Sequence, residues 1–438
     1  MSREQIAATS SPVNGTGTHW KVPFFSIWSG QALSLVASRV MEFAIIWWMT
    51  QETGSATVLA TGALMWSVPQ VLLGPLIGAY VDRWNRRLVM IASDAFTALG
   101  ALALAFLFWS GDIRIWHIYV AVFLRTLSGA FQWPAMQGTT ALMVPDEHLT
   151  RVAGLNQTMQ GALNIVGPPL GAALLAVLPL QGVLLLDVAT MVLAVVPLCI
   201  VRIPQVTRSG AAGSAGAPSV WTDVREGFRY VWGWPGLLAI LMMAMLLNFI
   251  SGPAFTFLPL LVANHFGGGA IELGWLEAAW GVGLLVGGLL LSTWGGFRHR
   301  VITALSALAL SGLAMTVVGL APAHLLWLAV GAWFASGALN ALTNGPFMAL
   351  LQSSVAPEKH GRVFSVVNSL CSAAFPISML VAGPLVDVIG VQPWYLAGGL
   401  LTTLIGLGAF AVPAIVNVEQ NGYSAHVQAA AQAPSSEP

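Results

Sequence analysis

Long apolar runs separated by short polar breaks set the pattern of this 438-residue chain. A helix that crosses a bilayer needs about 20 mostly apolar residues. Twelve runs meet that length, at roughly 23–49, 56–80, 88–110, 116–141, 153–179, 183–203, 237–262, 271–293, 301–320, 325–350, 362–389 and 392–416. Helices are the expected form because an unpaired backbone group in lipid is costly. Two breaks are long. The first, 204–236, opens with RSGAAGSAGAPS, a flexible linker by composition, and continues with WTDVREGFRYVW, which predicts an amphipathic helix at the membrane surface. The second is the Ala-, Gln- and Ser-rich tail 417–438, expected to be disordered. The pattern therefore divides the chain into an N-terminal segment (1–22), a six-span bundle (23–203), the linker (204–236), a second six-span bundle (237–416) and the tail.

Composition supports a membrane protein. Charged residues make up 8% of the chain, against about 25% in soluble proteins, and 57% are hydrophobic. The formal net charge is zero, so nothing points to nucleic acid as a partner. Cys199 and Cys371 both lie in apolar runs, so a disulfide framework is not expected and they read as buried thiols. The first apolar run is too long for a signal-peptide core and reads as a retained span.

Lys and Arg give the orientation. With the N-terminus placed inside, fourteen of the seventeen basic residues fall in inside segments, one (Arg114) falls outside, and Arg39 and Arg125 lie within spans. Both termini are thus expected in the cytoplasm of a bacterial inner-membrane protein. The chain also repeats. Pro134, Pro145 and Arg86 recur 212 residues on as Pro346, Pro357 and Arg298, and VPDEHLTRV (144–152) is echoed by APEKHGRVF (356–364). Two six-helix halves in the same orientation are the parallel repeats found in some transporters.

The densest charge is GAYVDRWNRR (78–87), between spans two and three. Arginines alone would fix the loop's side, but that requires neither the acid nor the glycines. Gly74 and Gly78 allow close helix approach. Asp82 and Asp94 flank Arg83, Arg86 and Arg87, and these five are expected to form one cluster that ties the helix ends together when the cytoplasmic side is shut. Gly78, Asp82, Arg83, Arg86 and Arg87 resemble the loop signature of the major facilitator superfamily, Gly-xxx-Asp-Arg-xx-Arg-Arg. Asn85 stands where that signature has a second glycine, and asparagine tolerates a left-handed backbone nearly as well. The second-half echo, WGGFRHR (294–300), has lost the acid.

Further stretches resemble the macrolide-efflux branch of the drug:proton antiporters: IWSGQALSLVAS (27–38), TGSATVL (53–59), VPDEHLTRVAGLNQ (144–157), VRIP (201–204) and GRVFSVVNSL (361–370). The resemblance implies an all-α integral membrane protein with the major facilitator fold. It also implies alternating access, the proton gradient as energy source and no cofactor, in a monomer exporting an amphipathic small molecule. Siderophore or lysophospholipid export on the same scaffold, or a non-transporting membrane sensor, remain open alternatives.

An ionised residue at a helix centre costs about 2.5–3.5 kcal/mol on insertion scales, so each requires a reason. Arg39 and Glu42 share one face of span one. Arg125 opens RTLSG (125–129), which resembles the superfamily's Arg-xxx-Gly motif associated with proton transfer. Glu42, held by Arg39 or Arg125, is the expected proton site, with Glu277 of span eight in reserve. A purely structural ion pair is the competing reading. Asp187 and Asp387 read as helix-end caps or interface residues. In span five, Gly167, Pro168 and Gly171 resemble the antiporter motif Gly-Pro-xx-Gly; prolines remove backbone hydrogen bonds and glycines thin the helix. Gln31, Trp133, Asn164, Asn248, Phe255 and Asn340 are the expected lining of the substrate cavity. No phosphate-cradling loop and no His/Cys spacing suited to a metal are present, so an enzyme is not expected. GVGLLVGG (281–288) lies inside span eight and reads as helix packing.

Overall fold

The computed structural model describes residues 20–81, 84–201, 232, 235–355 and 360–418, with positions 73–76, 78–80, 354 and 362 described in backbone only. The expected linker helix, apart from Trp232, and the tail beyond Val418 lie outside the described residues. Within them the regular structure is entirely helical, with no strand.

Twelve long helices follow in order. The first six are α1 (Lys21–Thr53), α2 (Ala56–Val81), α3 (Arg86–Ser110), α4 (Ile115–Met143), α5 (Asp146–Val177) and α6 (Leu180–Ile200). The second six are α7 (Pro235–Thr256), α8 (Ala270–Trp294), α9 (Arg300–Leu320), α10 (Leu326–Ser354), α11 (His360–Ile389) and α12 (Val391–Ala409). A short turn, Leu258–Leu260, and a π-helical turn, Leu261–His265, extend α7. Among the described residues nine helices are long and apolar enough to cross a membrane. α2, α4 and α12 fall short of that measure. In α2 only Ala56–Leu72 counts as an apolar helix, and α4 carries Arg125, Gln132 and Gln137 in its middle.

Local chemistry fixes the ends. Gly54, Gly111 and Gly295 terminate α1, α3 and α8 at positive φ (60, 79 and 78°), which a Cβ would resist. Asn85 does not take a left-handed conformation. Its φ is −68°, and its side-chain oxygen accepts the Leu88 amide at 3.3 Å. It is the N-cap of α3, a role for which asparagine is among the best residues.

The two halves share one contact plan. In the first, α1 packs on α5 and α6, α3 on α4 and α6, and α2 on α4. In the second, α7 packs on α11 and α12, α9 on α10 and α12, and α8 on α10. Advancing every helix of the first plan by six reproduces the second, as the 212-residue repeat predicts. Glycines make the second half tight. A Cβ on Gly283 or Gly287 of α8 would press into the Phe334 or Ala338 carbonyl of α10. GVGLLVGG is therefore a packing seam, as its position inside a span suggests.

The halves meet through α2 with α11 and α5 with α8. We call the end carrying residues 84–87 and 298–300 the basic end. At the opposite, far end one hydrophobic core joins both halves, with Ala44, Leu184, Phe257, Leu273, Met379 and Tyr395 among its members. At the basic end the cores are separate. Ile27, Met90 and Leu198 belong to one, Leu237 and Val363 to a second, and Ile240 and Leu305 to a third. Among the described residues the molecule is closed at the far end and parted at the basic end.

Candidate polar and charged transport site

Polar groups inside the first bundle form three separate sets. Nearest the basic end, Asp94 of α3 is 3% exposed and accepts the amides of Gln31 at 2.9 Å and Gln132 at 2.6 Å; Gln132 also reaches the Gln31 oxygen at 2.9 Å. Two expectations are thereby corrected. Asp94 does not join the loop arginines, because its position on α3 points it at α1 and α4. Gln31, also 3% exposed, fastens helices together and does not line a cavity.

Arg86 and Arg87 reach backbone carbonyls. Arg86 donates to the Gly138 carbonyl at 2.8 Å. Arg87 donates to Leu198 at 2.5 Å and also to Cys199, carbonyls in the last turn of α6. Such carbonyls have no intrahelical partner and favour a cation. Gly78 lies in α2, whereas Asp82 and Arg83 lie outside the described residues.

The second set is an ion pair between α4 and α6. Arg125 donates to Asp187 at 2.8 Å, and Asp187 is fully buried and also accepts the Ser38 hydroxyl at 3.1 Å. Arg125 was expected at Glu42, and Asp187 was expected to be a cap or interface residue. Both lie about two to three turns in from the far end, where a buried cation and anion on two helices of one bundle can satisfy each other. That shared depth was the signal available in the sequence. Ser38 carried no signal of its own.

The third set is Arg39 with Glu42, 3.0 Å apart on one face of α1 and each 41% exposed. The antiporter-motif glycines pack directly on this face. A Cβ at Gly167 would lie 3.2 Å from the Cβ of Arg39, and one at Gly171 would lie 2.8 Å from the Phe43 ring. The other face of α5 meets α8, where a Cβ at Gly274 would lie 3.3 Å from Pro169 and 3.4 Å from the Pro168 carbonyl. α5 remains one continuous helix through Pro168 and Pro169, wedged between the two halves. Across it, half-buried Glu277 of α8 is close enough to Glu42 for their charges to interact. Among the described residues the Glu277 carboxyl makes no ion pair.

The six expected cavity residues are not gathered in one place. Gln31 joins the Asp94 set. Phe255, 42% exposed, packs its ring 5.0 Å from Trp280 and 5.1 Å from Trp333. Asn248 and Asn340 line a cavity inside the second bundle. Trp133 and Asn164 are exposed on α4 and α5. At the far end Asp387 of α11 caps α2 of the other half. Its oxygens accept the amides of Ala56 (2.6 Å) and Thr57 (3.1 Å) and the Ser55 hydroxyl (2.9 Å). It is a cap, as expected, but on a helix of the opposite bundle.

Comparison with known proteins agrees with this architecture. The Major Facilitator Superfamily profile matches residues 27–379. Macrolide efflux protein A of Streptococcus pyogenes is 33% identical over 389 residues, covering 89% of this chain and 95% of that protein. The multidrug efflux pump Tap of Mycolicibacterium fortuitum is 28% identical over 389 residues, covering 84% and 90%. A bacterial homologue of the iron transporter ferroportin, solved in an inward-facing state, superposes with a TM-score of 0.68 at 15% identity, covering 88% of this chain and 98% of that one; this is a likeness of fold. With its loop signature, its repeated contact plan and these matches, the chain belongs to the Major Facilitator Superfamily.

Proposed function

We propose that this chain is a secondary exporter of amphipathic, drug-like molecules of the macrolide type, working by alternating access in exchange for protons. The observation that carries the reading is the asymmetry of its closure. Among the described residues one fused core seals the far end, while the basic end has separate cores, none of which holds residues of both bundles. The efflux relatives supply the direction and the substrate type. In this reading the basic end faces the cytoplasm, as the distribution of Lys and Arg favours. Both termini are cytoplasmic, the membrane is the bacterial inner membrane, and the protein acts as a monomer.

Glu42 is the proposed proton carrier. Its side chain is 41% exposed, its one ion-pair partner among the described residues is Arg39, and it lies close enough to Glu277 for their charges to interact. Two like charges near each other repel. A proton on either carboxylate removes that repulsion and favours close approach of α1 and α8 across α5. Arg125 is held by Asp187, so it positions α4 against α6 and does not serve Glu42. Asp387 is the far-end latch: it must release the α2 amides before that end can open. Asp82 is the proposed counterpart at the basic end.

The test is uptake of radiolabelled erythromycin by a bacterium lacking its own pumps. Expression is expected to lower accumulation several-fold. A protonophore and Glu42→Gln are each expected to restore accumulation to the level of cells without the protein. Low accumulation that survives the protonophore would contradict proton exchange.

A further inference from the structure

The second bundle contains a cavity of about 190 Å3 between α7, α9 and α10, running from Val301 and Leu350 near the basic end to Ser251, Ser311 and Thr402 at mid-depth. The repeat explains why it exists. In the first bundle Gln31, Asp94 and Gln132 fill the equivalent interior with a bonded knot. Moving on by the 212-residue offset gives Met243, Ser306 and Asn344. Met243 and Asn344 line the cavity. Ser306, at the position of the missing acid, bonds back to its own helix at Ile302, 2.7 Å away. Among the described residues no hydrogen bond joins Met243, Ser306 and Asn344 across the bundle, and the space stays open.

The cavity's chemistry is uncharged and rich in hydrogen-bonding groups. Asn248 and Asn344 are exposed at its mouth. Among the described residues Asn248 donates to its own helix at Ala244 (2.9 Å) and Asn344 donates to Asn340 (3.1 Å), and the Asn248 and Asn344 oxygens and the Asn340 amide have no partner. Deeper in, Thr402 lines the cavity and is 5% exposed, and among the described residues its hydroxyl has no hydrogen-bond partner. Buried hydroxyls are rarely left so. Leu305, Leu308 and Phe347 supply apolar wall. The volume is below the roughly 300–1,000 Å3 of pockets that enclose a whole drug-sized ligand. It is suited to one ring.

We infer that this cavity receives a neutral, hydroxylated saturated ring, such as a sugar substituent, carried by the exported amphipath. Amides and hydroxyls meet the ring's alternating donors and acceptors, and the apolar wall covers its C–H face. An acidic or cationic group has no partner here. The inference rests on the exporter reading and specifies which part of the substrate the second bundle holds.

The test is equilibrium binding to the full chain in lipid nanodiscs, comparing erythromycin A with its descladinosyl derivative, which lacks one neutral sugar and keeps the amino sugar. The wild type is expected to bind erythromycin at least about ten-fold more tightly, since a site built for hydroxyl groups discriminates strongly against their loss. Asn340→Leu and the nearly isosteric Thr402→Val are each expected to remove most of that preference and leave binding of the descladinosyl compound unchanged. Equal affinity of the wild type for the two compounds would overturn the inference, as would a wild-type preference that survives in Thr402→Val and Asn340→Leu. Failure of the wild type to bind either compound would overturn the macrolide-exporter reading itself, and this inference with it.

Discussion

The two bundles have the same plan of helix contacts and different interiors. The first is held by charge and amide groups: Arg125 with Asp187, Arg39 with Glu42, and Asp94 between two glutamines. The second is held by backbone approach along glycine seams, α8 on α10 and α9 on α12, where a Cβ on Gly312 or Gly399 would press into the neighbouring helix. Polar pairs in lipid must be complete to be tolerated. Glycine seams depend on the absence of side chains. Duplication of one scaffold has thus left one half specialised for charge and the other for close packing with an open cavity.

The largest effect is expected from breaking the first bundle's ion pair. Asp187→Leu leaves Arg125 without its partner and should cost about 3–5 kcal/mol. Thermal unfolding of the purified protein should fall sharply, and Arg125→Leu in the same chain should recover much of the loss. Gly287→Val attacks the second bundle by forcing α8 from α10, with an expected loss of about 1–3 kcal/mol. No second-site charge change should rescue it. The contrast between a rescuable and a non-rescuable loss is what separates the two interiors.

Asp387→Ala removes a cap that joins the halves, at about 1 kcal/mol by analogy with helix N-caps. Its effect should be on the conformational balance more than on folding, with faster thiol labelling of a cysteine introduced at Thr57. The smallest change is Ser38→Ala, which removes one of the bonds to Asp187 and should cost about 0.5–1.5 kcal/mol by the same unfolding measurement.

Much of the fold was legible because hydrophobic length and repetition are properties of the chain alone. The apolar runs mark the helices, and Pro134 with Pro346 marks the duplication. The packing of α5 was also legible, since Gly167 and Gly171 combine thinness with a known spacing. Pairing within the bundles was not. Asp94 is near Arg86 and Arg87 in sequence, yet helix rotation turns it toward Gln31 and Gln132. Arg125 had several acids within reach by depth, and only the rotation of α4 and α6 about their axes selects Asp187. Hydropathy fixes how deep a residue lies but not which way it faces.

The most direct test of the account is a removable lock across the far end. A Cβ at Gly383 of α11 would lie 2.8 Å from the Cβ of Ala60 on α2, so the two helices need part by only about 1 Å to reach the mean Cβ separation of about 3.8 Å in disulfides. In a chain with Cys199 and Cys371 replaced by serine, Ala60→Cys with Gly383→Cys should crosslink on oxidation. Efflux of erythromycin should stop when the bond forms and resume when it is reduced. Full-rate efflux through the crosslinked protein would contradict a transport cycle in which the far end opens.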